Sequence, residues 1–301
     1  MFLSVIIRSF AFTSARSSFS NFAGMDKPTL RLGVVQSGAK DDKKENLKVA
    51  REKIDELVKK KCDIIVLPEC FNSPYGTDYF SKYAEEIPNG ETCHFLKEMS
   101  SKNKIHLVGG SIPERDGQHL YNTSTVWNPE GELICRHRKI HLFDINIPDG
   151  IQFQESSILK AGNTITTFAA HNWKFGIGIC YDLRFEELAR LYRNKGCHVL
   201  LYPGAFNWTT GPLHWELLLR GRAVDNQVYV AGVSGAYCPN ASYQAWGHSS
   251  IVDPLGKVVT KAQHDEAVLC VDLDMSLVTK VRQQIPVFGQ RRTDVYETVE
   301  K

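Results

Sequence analysis

The sequence predicts a single α/β domain in which helices cover either one mixed sheet or two sheets packed face to face. Short apolar, β-branched runs alternate along the chain with longer segments whose apolar residues recur at helical spacing. Of the 301 residues, 43% are hydrophobic and 23% are charged, a balance typical of a globular protein with a sizeable core. No low-complexity linker or internal repeat divides residues 29–301, the range that we expect to fold as one domain.

The first half of this range alternates strands and helices. The elements predicted here are a strand at 30–36, a helix at 46–61, a strand at 63–68, a helix at 92–103, a strand at 105–112, and strands at 121–127 and 132–138 that form a hairpin around the turn at 128–131. The first helix carries its apolar residues on one face, at Leu47, Ala50, Ile54, Leu57 and Val58. The run DIIVLP is apolar almost throughout, which is typical of a strand buried on both faces.

The second half repeats the alternation. The elements predicted here are a strand at 174–180, a helix that starts near Leu183, a strand at 199–203, and strands at 228–233, 249–253 and 257–261, the last two separated by the turn Pro254-Leu255-Gly256. The helix is predicted from the helical spacing of four apolar residues, Phe185, Leu188, Ala189 and Tyr192.

The charge balance excludes two classes of partner. Lys and Arg total 36 against 34 Asp and Glu, and two of the basic residues, Arg8 and Arg16, lie in the first 25 residues, which hold no acid. The rest of the chain therefore carries 34 residues of each sign and no basic field for nucleic acid or an anionic membrane. No segment reaches the roughly 18 uninterrupted apolar residues of a membrane span. We expect no nucleic-acid partner and no membrane partner.

Residues 1–24 have the composition of a mitochondrial transit peptide. The segment MFLSVIIRSFAFTSARSSFSNFAG contains two arginines, six serines, several bulky apolar residues and no acid. An ordinary disordered tail is the alternative interpretation. Met25 follows at once and could serve as a second start, which would give a cytoplasmic form. We therefore expect a mitochondrial protein with a possible cytoplasmic form.

The cysteine pattern does not indicate a structural metal. The eight cysteines are Cys62, Cys70, Cys93, Cys135, Cys180, Cys197, Cys238 and Cys270. None form a CxxC pair, and no histidine lies at the spacing of a zinc site. We expect reduced thiols, no metal and no cofactor.

Glu69 is the first candidate catalytic residue. It follows the buried run IIVLP directly, so its carboxylate should lie at the edge of the core, where loss of water raises the pKa of a carboxyl group. Such a group can act as a proton acceptor. The alternative is a structural carboxylate whose hydrogen bonds are all satisfied.

Lys139 is the second candidate, at the end of the predicted hairpin in RHRKIHLFD. Its ammonium could stabilise a developing oxyanion or donate a proton if a carboxylate and a nucleophile lie nearby. The alternative is a surface lysine whose aliphatic part covers apolar residues.

Cys180 is the third candidate, in FGIGICYDLRF. Gly176 and Gly178 let neighbouring backbone approach the strand closely, and the chain then turns into a helix. A thiol at such a turn is close to the helix amino end and to nearby cations, both of which favour the thiolate. The backbone N–H of Tyr181 would be an oxyanion donor, as at a nucleophile elbow. The alternative is an inert buried cysteine.

These three residues and the motifs around them resemble the nitrilase, or carbon–nitrogen hydrolase, superfamily, and within it the omega-amidase branch. The resemblance covers about residues 30–296. It rests on the segments LPECFNSPYG, RKIHLFD, FQES, GICYDLRF, YPGAFNWTTGPLHWELL, RAVDNQVYV, AWGHS and RQQIPVF. Trp208 and Gly221 depart from what the branch leads us to expect, but neither belongs to the triad.

The resemblance implies a four-layer αββα sandwich, a homodimer and a Glu–Lys–Cys triad with Cys180 as nucleophile. It implies that Glu155 in FQES supports Lys139, with a surface-loop acid as the alternative. The expected substrates are 2-oxoglutaramate and 2-oxosuccinamate, hydrolysed with water through a thioester to 2-oxoglutarate or oxaloacetate and ammonia.

The resemblance also implies a subsite for the far carboxylate of the substrate. Arg184 and the backbone of Phe206 would hold it, since a guanidinium presents a fork of donors. The alternative for Arg184 is a helix-start residue paired with Asp182 or Glu186. The tail 285–300 looks suited to crossing a dimer interface, although it could equally pack on its own subunit.

Three other functions remain open on the sequence. The first is a Cys–His hydrolase that uses His137, His141 or His248. The second is a deaminated-glutathione amidase or another hydrolase of short dicarboxylic monoamides. The third is a non-catalytic binding protein that keeps the fold. Nitrile hydrolysis is less expected than amide cleavage in this branch.

Overall fold

The computed structural model describes residues 27–148 and 150–301, so the predicted transit peptide at 1–24 and Met25 lie outside the described residues. Within those ranges the helices are α1 Lys43–Lys59, α2 Thr77–Tyr83, α3 Glu91–Asn103, α4 Glu186–Asn194, α5 Gly211–Asn226 and α6 Met275–Gln284. The strands are β1 Thr29–Gln36, β2 Ile64–Val66, β3 His106–Val108, β4 Ile112–Asp116, β5 His119–Trp127, β6 Leu133–Arg138, β7 Asp144–Asn146, β8 Gln152–Gln154, β9 Thr167–Ala170, β10 Trp173–Ile177, β11 Val199–Gly204, β12 Tyr229–Ser234, β13 Ser250–Val252, β14 Val258–Lys261 and β15 Ala267–Asp274.

Two mixed sheets form the centre of the described chain. The first runs in the order β15-β1-β2-β3-β5-β4 with β6 also paired to β5, and the second runs β14-β13-β12-β11-β10-β9. Buried side chains of both sheets, such as Val34, Val66, Phe175 and Leu201, share one apolar cluster, which places the sheets face to face.

Helices cover the outer faces of both sheets. Residues of α1 and α3 share a second apolar cluster with the first sheet, and residues of α4 and α5 share a third with the second sheet. The chain therefore folds as a single four-layer αββα domain, which confirms the predicted fold class and selects two sheets over one.

One predicted strand is wrong, because residues 105–112 do not form a continuous strand. β3 ends at Val108 and β4 begins at Ile112, with Gly109 and Gly110 between them. Gly110 adopts a φ of +51°, and a Cβ there would overlap the carbonyl oxygen of Pro68. The break lets this turn pack directly against the segment that follows β2.

The strand predicted at 174–180 is also too long. β10 ends at Ile177, and Cys180 begins a short 3₁₀ turn, Cys180–Arg184, so α4 starts at Glu186 rather than near Leu183. The sequence pattern predicts no element over α5, because apolar residues occur all around that helix. Leu213, Leu217 and Val224 face outward while Trp215 and Leu219 are buried, which removes the one-sided periodicity.

The carboxyl-terminal residues pack on α4 of the same chain. The guanidinium carbon of Arg193 lies 4.0 Å from the centre of the Phe288 ring, and the Asn194 amide donates to the Thr298 carbonyl at 3.4 Å. Lys195 forms an ion pair with Glu300. Across residues 27–148 and 150–301, no helix has the length and apolar content that a membrane crossing needs.

Candidate active site

Four candidate side chains converge from the ends of strands in different parts of the fold. Glu69 lies three residues after β2, Lys139 directly after β6, Glu155 directly after β8, and Cys180 three residues after β10. The exposed fraction is 4% for Glu69, 3% for Cys180 and 0% for the other two. The fold therefore brings together residues that are far apart in sequence, at an edge where both sheets end.

Lys139 lies between two carboxylates. Its Nζ is 3.0 Å from Glu69 Oε1 and 2.9 Å from Glu155 Oε2. Burial acts to lower the pKa of Lys139, but the charges of Glu155 and Glu69 outweigh it and hold the pKa well above its ordinary value. The ammonium is therefore charged and fixed, and the interpretation as a surface lysine is wrong.

Glu155 is fully enclosed, so the interpretation as a surface-loop acid is also wrong. Its Oε2 accepts the backbone N–H of Phe143 at 2.6 Å. Its Oε1 accepts the Tyr75 hydroxyl at 3.3 Å and the Asn122 amide at 3.4 Å. This carboxylate is held on both oxygens in addition to its contact with Lys139, which makes it a rigid support for the ammonium.

Glu69 is held on one oxygen only. Its Oε1 accepts the amide of Asn122 at 2.9 Å and the ammonium of Lys139 at 3.0 Å. Its Oε2 has no hydrogen-bond partner within the described residues. Burial raises the pKa of Glu69, the Lys139 charge opposes this, and the Glu155 charge adds to the rise. The Glu69 carboxyl and the Cys180 thiol each shift the pKa of the other, which places Glu69 as the nearest candidate to accept the thiol proton.

Cys180 occupies a strained position at the start of the 3₁₀ turn. Its φ of +49° is in the left-handed region, which is uncommon for a non-glycine residue and costs energy to hold. The backbone N–H of Ala205 donates to its Sγ at 3.4 Å. Cys180 therefore stands at a sharp turn after a strand, as the sequence predicts. The turn begins directly after Ile179, the last residue with extended backbone.

The two features expected to favour a thiolate at Cys180, a helix amino end and nearby cations, are outweighed in the structure. Burial raises the pKa of the thiol well above its ordinary value and the Glu69 charge raises it further, while Lys139 and the Ala205 N–H act in the opposite direction. The Lys139 charge is already shared between two carboxylates, and a turn of five residues supplies little helix dipole. The resting thiol is therefore protonated and needs a base.

The three residues predicted to bind substrate, Arg184, Phe206 and Tyr181, lie close together. The Arg184 guanidinium lies 4.8 Å from the centre of the Phe206 ring and 5.6 Å from that of Tyr181, and its Nη1 is 3.3 Å from His214 Nδ1. Within the described ranges Arg184 pairs with neither Asp182 nor Glu186, so the structural alternative is wrong.

A cavity of about 460 Å³ opens beside Glu69. Glu69 and Tyr75 line one side, and Ala205 with the segment 235–243 lines the other. Cys180 lies directly behind Ala205 and does not line the cavity, and neither do Lys139, Arg184, Phe206 and Tyr181. The cavity therefore opens onto Glu69, and the Cys180 sulfur lies just behind its wall at Ala205.

Three site residues are not among the predicted ones. They are Tyr75 and Asn122, which bind the carboxylates, and Tyr243, whose hydroxyl donates to the Ala205 carbonyl at 2.6 Å. Tyr75 stands inside the motif PECFNSPYG, so the motif itself could have indicated it. Asn122 lies in the middle of β5 with no distinguishing pattern around it.

The histidines do not form a Cys–His pair. His141 Nδ1 lies 2.7 Å from Asp182 Oδ1, His137 Nε2 lies 3.5 Å from Asp182 Oδ2, and His248 Nδ1 is 2.8 Å from the Trp246 carbonyl. None of the three bonds to Cys180 in the described part of the chain. Residues 27–148 and 150–301 contain no cluster of three or more His, Cys, Asp or Glu arranged to hold a metal.

Comparisons with known proteins place the chain in one family. A sequence profile described as carbon–nitrogen hydrolase matches residues 31–283. Omega-amidase NIT2 of Danio rerio is 54% identical over 266 residues, which are 88% of this chain and 96% of that protein. Omega-amidase NIT2 of Mus musculus is 53% identical over 272 residues, 90% of this chain and 98% of that protein. The crystal structure of Saccharomyces cerevisiae Nit3, described as a member of branch 10 of the nitrilase superfamily, superimposes with a TM-score of 0.82 at 44% identity, over 88% of this chain and 97% of that one.

Proposed function

The chain belongs to the carbon–nitrogen hydrolase family, and from its similarity to omega-amidases we propose that it is an omega-amidase that hydrolyses the terminal amide of short dicarboxylic monoamides. The substrates are 2-oxoglutaramate and 2-oxosuccinamate, and the products are ammonia with 2-oxoglutarate or oxaloacetate. One observation carries the proposal on the structural side: a buried thiol lies beside a carboxylate that has one free oxygen and is paired to a buried lysine.

The first half of the reaction forms a covalent intermediate. Glu69 accepts the Cys180 proton on its unpartnered oxygen as the sulfur attacks the carboxamide carbon. The carbonyl oxygen becomes an oxyanion, which Lys139 Nζ and the Tyr181 N–H stabilise. This N–H makes no hydrogen bond within the described ranges and is available for that purpose. A donor of this kind typically lowers the barrier by about 2.7–4 kcal/mol.

The second half returns the enzyme to its starting state. Glu69 gives its proton to the amide nitrogen, the C–N bond breaks, and ammonia leaves a thioester on Cys180. The same carboxylate then takes a proton from water, whose oxygen attacks the thioester carbon. Collapse of this second tetrahedral intermediate breaks the C–S bond, Glu69 returns its proton to the leaving sulfur, and the acid is released. Glu155 takes no proton in this cycle but holds Lys139 in place.

Arg184 is proposed to bind the far carboxylate of the substrate, together with the backbone of Phe206. The support is that the guanidinium is half-buried near Cys180 and pairs with no carboxylate among the described residues. Arg184→Met should therefore raise KM for 2-oxoglutaramate strongly and leave the slow turnover of an uncharged short amide nearly unchanged. An equal loss on both substrates would contradict this assignment.

The central experiment measures ammonia release from 2-oxoglutaramate by the wild-type protein and by Cys180→Ala. We expect turnover by the wild type, none by the variant, and an acyl adduct on Cys180 detectable by mass spectrometry. Deaminated glutathione is assayed in parallel. A clear preference for it would instead support the deaminated-glutathione amidase, and no turnover of either amide would favour a non-catalytic binding protein.

We also propose a homodimer, supported by an outward apolar stripe on α5. Leu213 and Leu217 are each 66% exposed and Val224 is 50% exposed. Gly221 lies on the same face with open space above it, which would allow two helices to cross closely. Leu217→Asp should convert the protein to a monomer in light scattering, whereas Ile134→Asp, on the first sheet, should not.

Mitochondrial localisation remains a proposal that rests on the composition of residues 1–24, with a cytoplasmic form started at Met25. The test compares the full chain with a chain started at Met25 by cell fractionation. Amino-terminal sequencing of the purified protein should find two species. A single species would contradict the second start.

A further inference from the structure

Two cysteines outside the active site lie side by side. Cys62 stands between α1 and β2, Cys270 lies in β15, and their Sγ atoms are 3.4 Å apart although 208 positions separate them in sequence. Cys62 is 4% exposed and Cys270 is partly exposed. Both belong to the apolar cluster under α1 and α3, and the proposed amidase reaction uses neither.

A glycine in the strand between them makes this approach possible. β1 runs between β15 and β2, and its Gly33 is the direct antiparallel partner of Cys270. A Cβ at position 33 would lie only 3.0 Å from Cys62 Sγ. Any other residue at position 33 would place its side chain against Cys62 Sγ and obstruct the contact between the two sulfurs. Cys62 and Cys270 therefore meet across β1, a strand to which neither of them belongs.

We propose that Cys62 and Cys270 form a reversible disulfide when the protein is exposed to hydrogen peroxide. The sulfurs need to approach by about 1.3 Å to reach bonding distance, which side-chain rotation and small backbone shifts supply at a site that lacks an intervening side chain. The bond would join the last strand of the first sheet to the junction of α1 and β2.

The chemistry is a two-electron oxidation in two steps. Cys270, the more accessible thiol, is oxidised by hydrogen peroxide to a sulfenic acid with release of one water. The Cys62 sulfur then attacks the Cys270 sulfur, the S–OH bond breaks, and a second water leaves as the S–S bond forms. Burial raises the pKa of Cys62, so it is the slower, resolving thiol rather than the first one to react. A dithiol reductant reverses the reaction.

The experiment treats the full chain with hydrogen peroxide, alkylates the remaining thiols and digests with trypsin without reductant. The expected product is a cross-link between tryptic peptides 62–82 and 262–280 that disappears after reduction. Oxidation should also raise Tm by about 5 °C, because the bond closes a very long loop of the unfolded chain.

Three variants make the assignment specific. Cys62→Ala and Cys270→Ala should each abolish the cross-link and the rise in Tm. Cys70→Ala is the matched control, since Cys70 lies in the same tryptic peptide as Cys62, and it should keep the cross-link. Full alkylation of Cys62 and Cys270 in the treated wild-type protein would overturn the proposal even if a variant failed to fold, and so would a cross-link that persists in Cys62→Ala.

Discussion

Two buried carboxylates flank Cys180 and differ in how they are held. Asp182, two residues after it, is 0% exposed, and Glu69 is 4% exposed. Asp182 accepts the backbone N–H of Ile179 at 2.8 Å, and its other oxygen accepts the backbone N–H of His141 at 2.9 Å and lies 2.7 Å from the ring of the same residue. Glu69 leaves one oxygen without any partner in the described chain.

The difference in hydrogen bonding separates the two pKa values. Burial acts to raise the pKa of both carboxyls, but the imidazoles of His137 and His141 bring that of Asp182 well below its ordinary value. The pKa of Glu69 stays raised. Burial alone therefore does not make a proton acceptor, since a fully hydrogen-bonded carboxylate beside the same cysteine is a fixed anion.

The largest expected effect comes from Glu69→Gln. Glutamine has nearly the same shape but cannot accept the thiol proton, so kcat/KM for 2-oxoglutaramate should fall by about 10³-fold or more. Tm should change little, because Glu155 still pairs with Lys139. The measurement is steady-state ammonia release together with thermal unfolding. Substantial activity in this variant would mean that another group takes the proton.

Asp182→Asn should do the opposite of Glu69→Gln, with a large loss of stability and a small loss of kcat. The amide keeps one acceptor oxygen where the carboxylate uses two, and loss of buried charged hydrogen bonds should lower the free energy of unfolding by about 3 kcal/mol. The kcat of the folded fraction should fall less than tenfold. Denaturant unfolding and kinetics on the same preparation check this. A loss of kcat as large as that of Glu69→Gln, with unchanged stability, would contradict the assignment of Asp182 as a structural anion rather than a proton acceptor.

The two carboxylates should also give different responses to acid. The folded pKa of Asp182 is depressed, so its stabilising contribution is present above its ordinary pKa near 3.8 and is lost as the pH falls below that value. The folded pKa of Glu69 is raised above 4.5, so kcat/KM should fall at a pH where the protein is still fully folded. Parallel profiles of kcat/KM and Tm against pH test this, and Asp182→Asn should flatten only the acid limb of the Tm profile.

The smallest expected effect is that of His141→Ala. The backbone N–H of His141 still binds Asp182, and the lost ring is partly exposed and stacked on Phe185. Activity should stay within about threefold of wild type, with a drop in Tm of a few degrees. A loss of a hundredfold or more would reopen a histidine-dependent mechanism.

The sequence could predict where Glu69 and Cys180 stand because each follows a readable apolar strand. The run IIVLP before Glu69 and the run ending at Ile177 before Cys180 are short and mostly buried, which places the residues that follow them at a sheet edge. The burial of Lys139 was less predictable, because a hairpin end with apolar residues after it also fits a surface lysine.

The protonation state of Cys180 and the residues that hold the site could not be predicted in the same way. The thiol pKa depends on burial by elements distant in sequence and on a lysine whose charge is already paired. Asn122 binds Glu69 from a strand that reads as an ordinary hairpin strand. The break at Gly109 and Gly110 depends on contact with Pro68, which no local pattern shows.

Gly110 has a practical consequence for redesign of the pocket. Its backbone rests against the Pro68 carbonyl, one residue before Glu69, so the position of the carboxylate is set by a residue without a side chain. Libraries that aim to admit bulkier amides should therefore vary the opposite wall at 235–243 and leave the 109–111 turn untouched. A side chain added at Gly110 would push on Pro68 and displace the neighbouring Glu69.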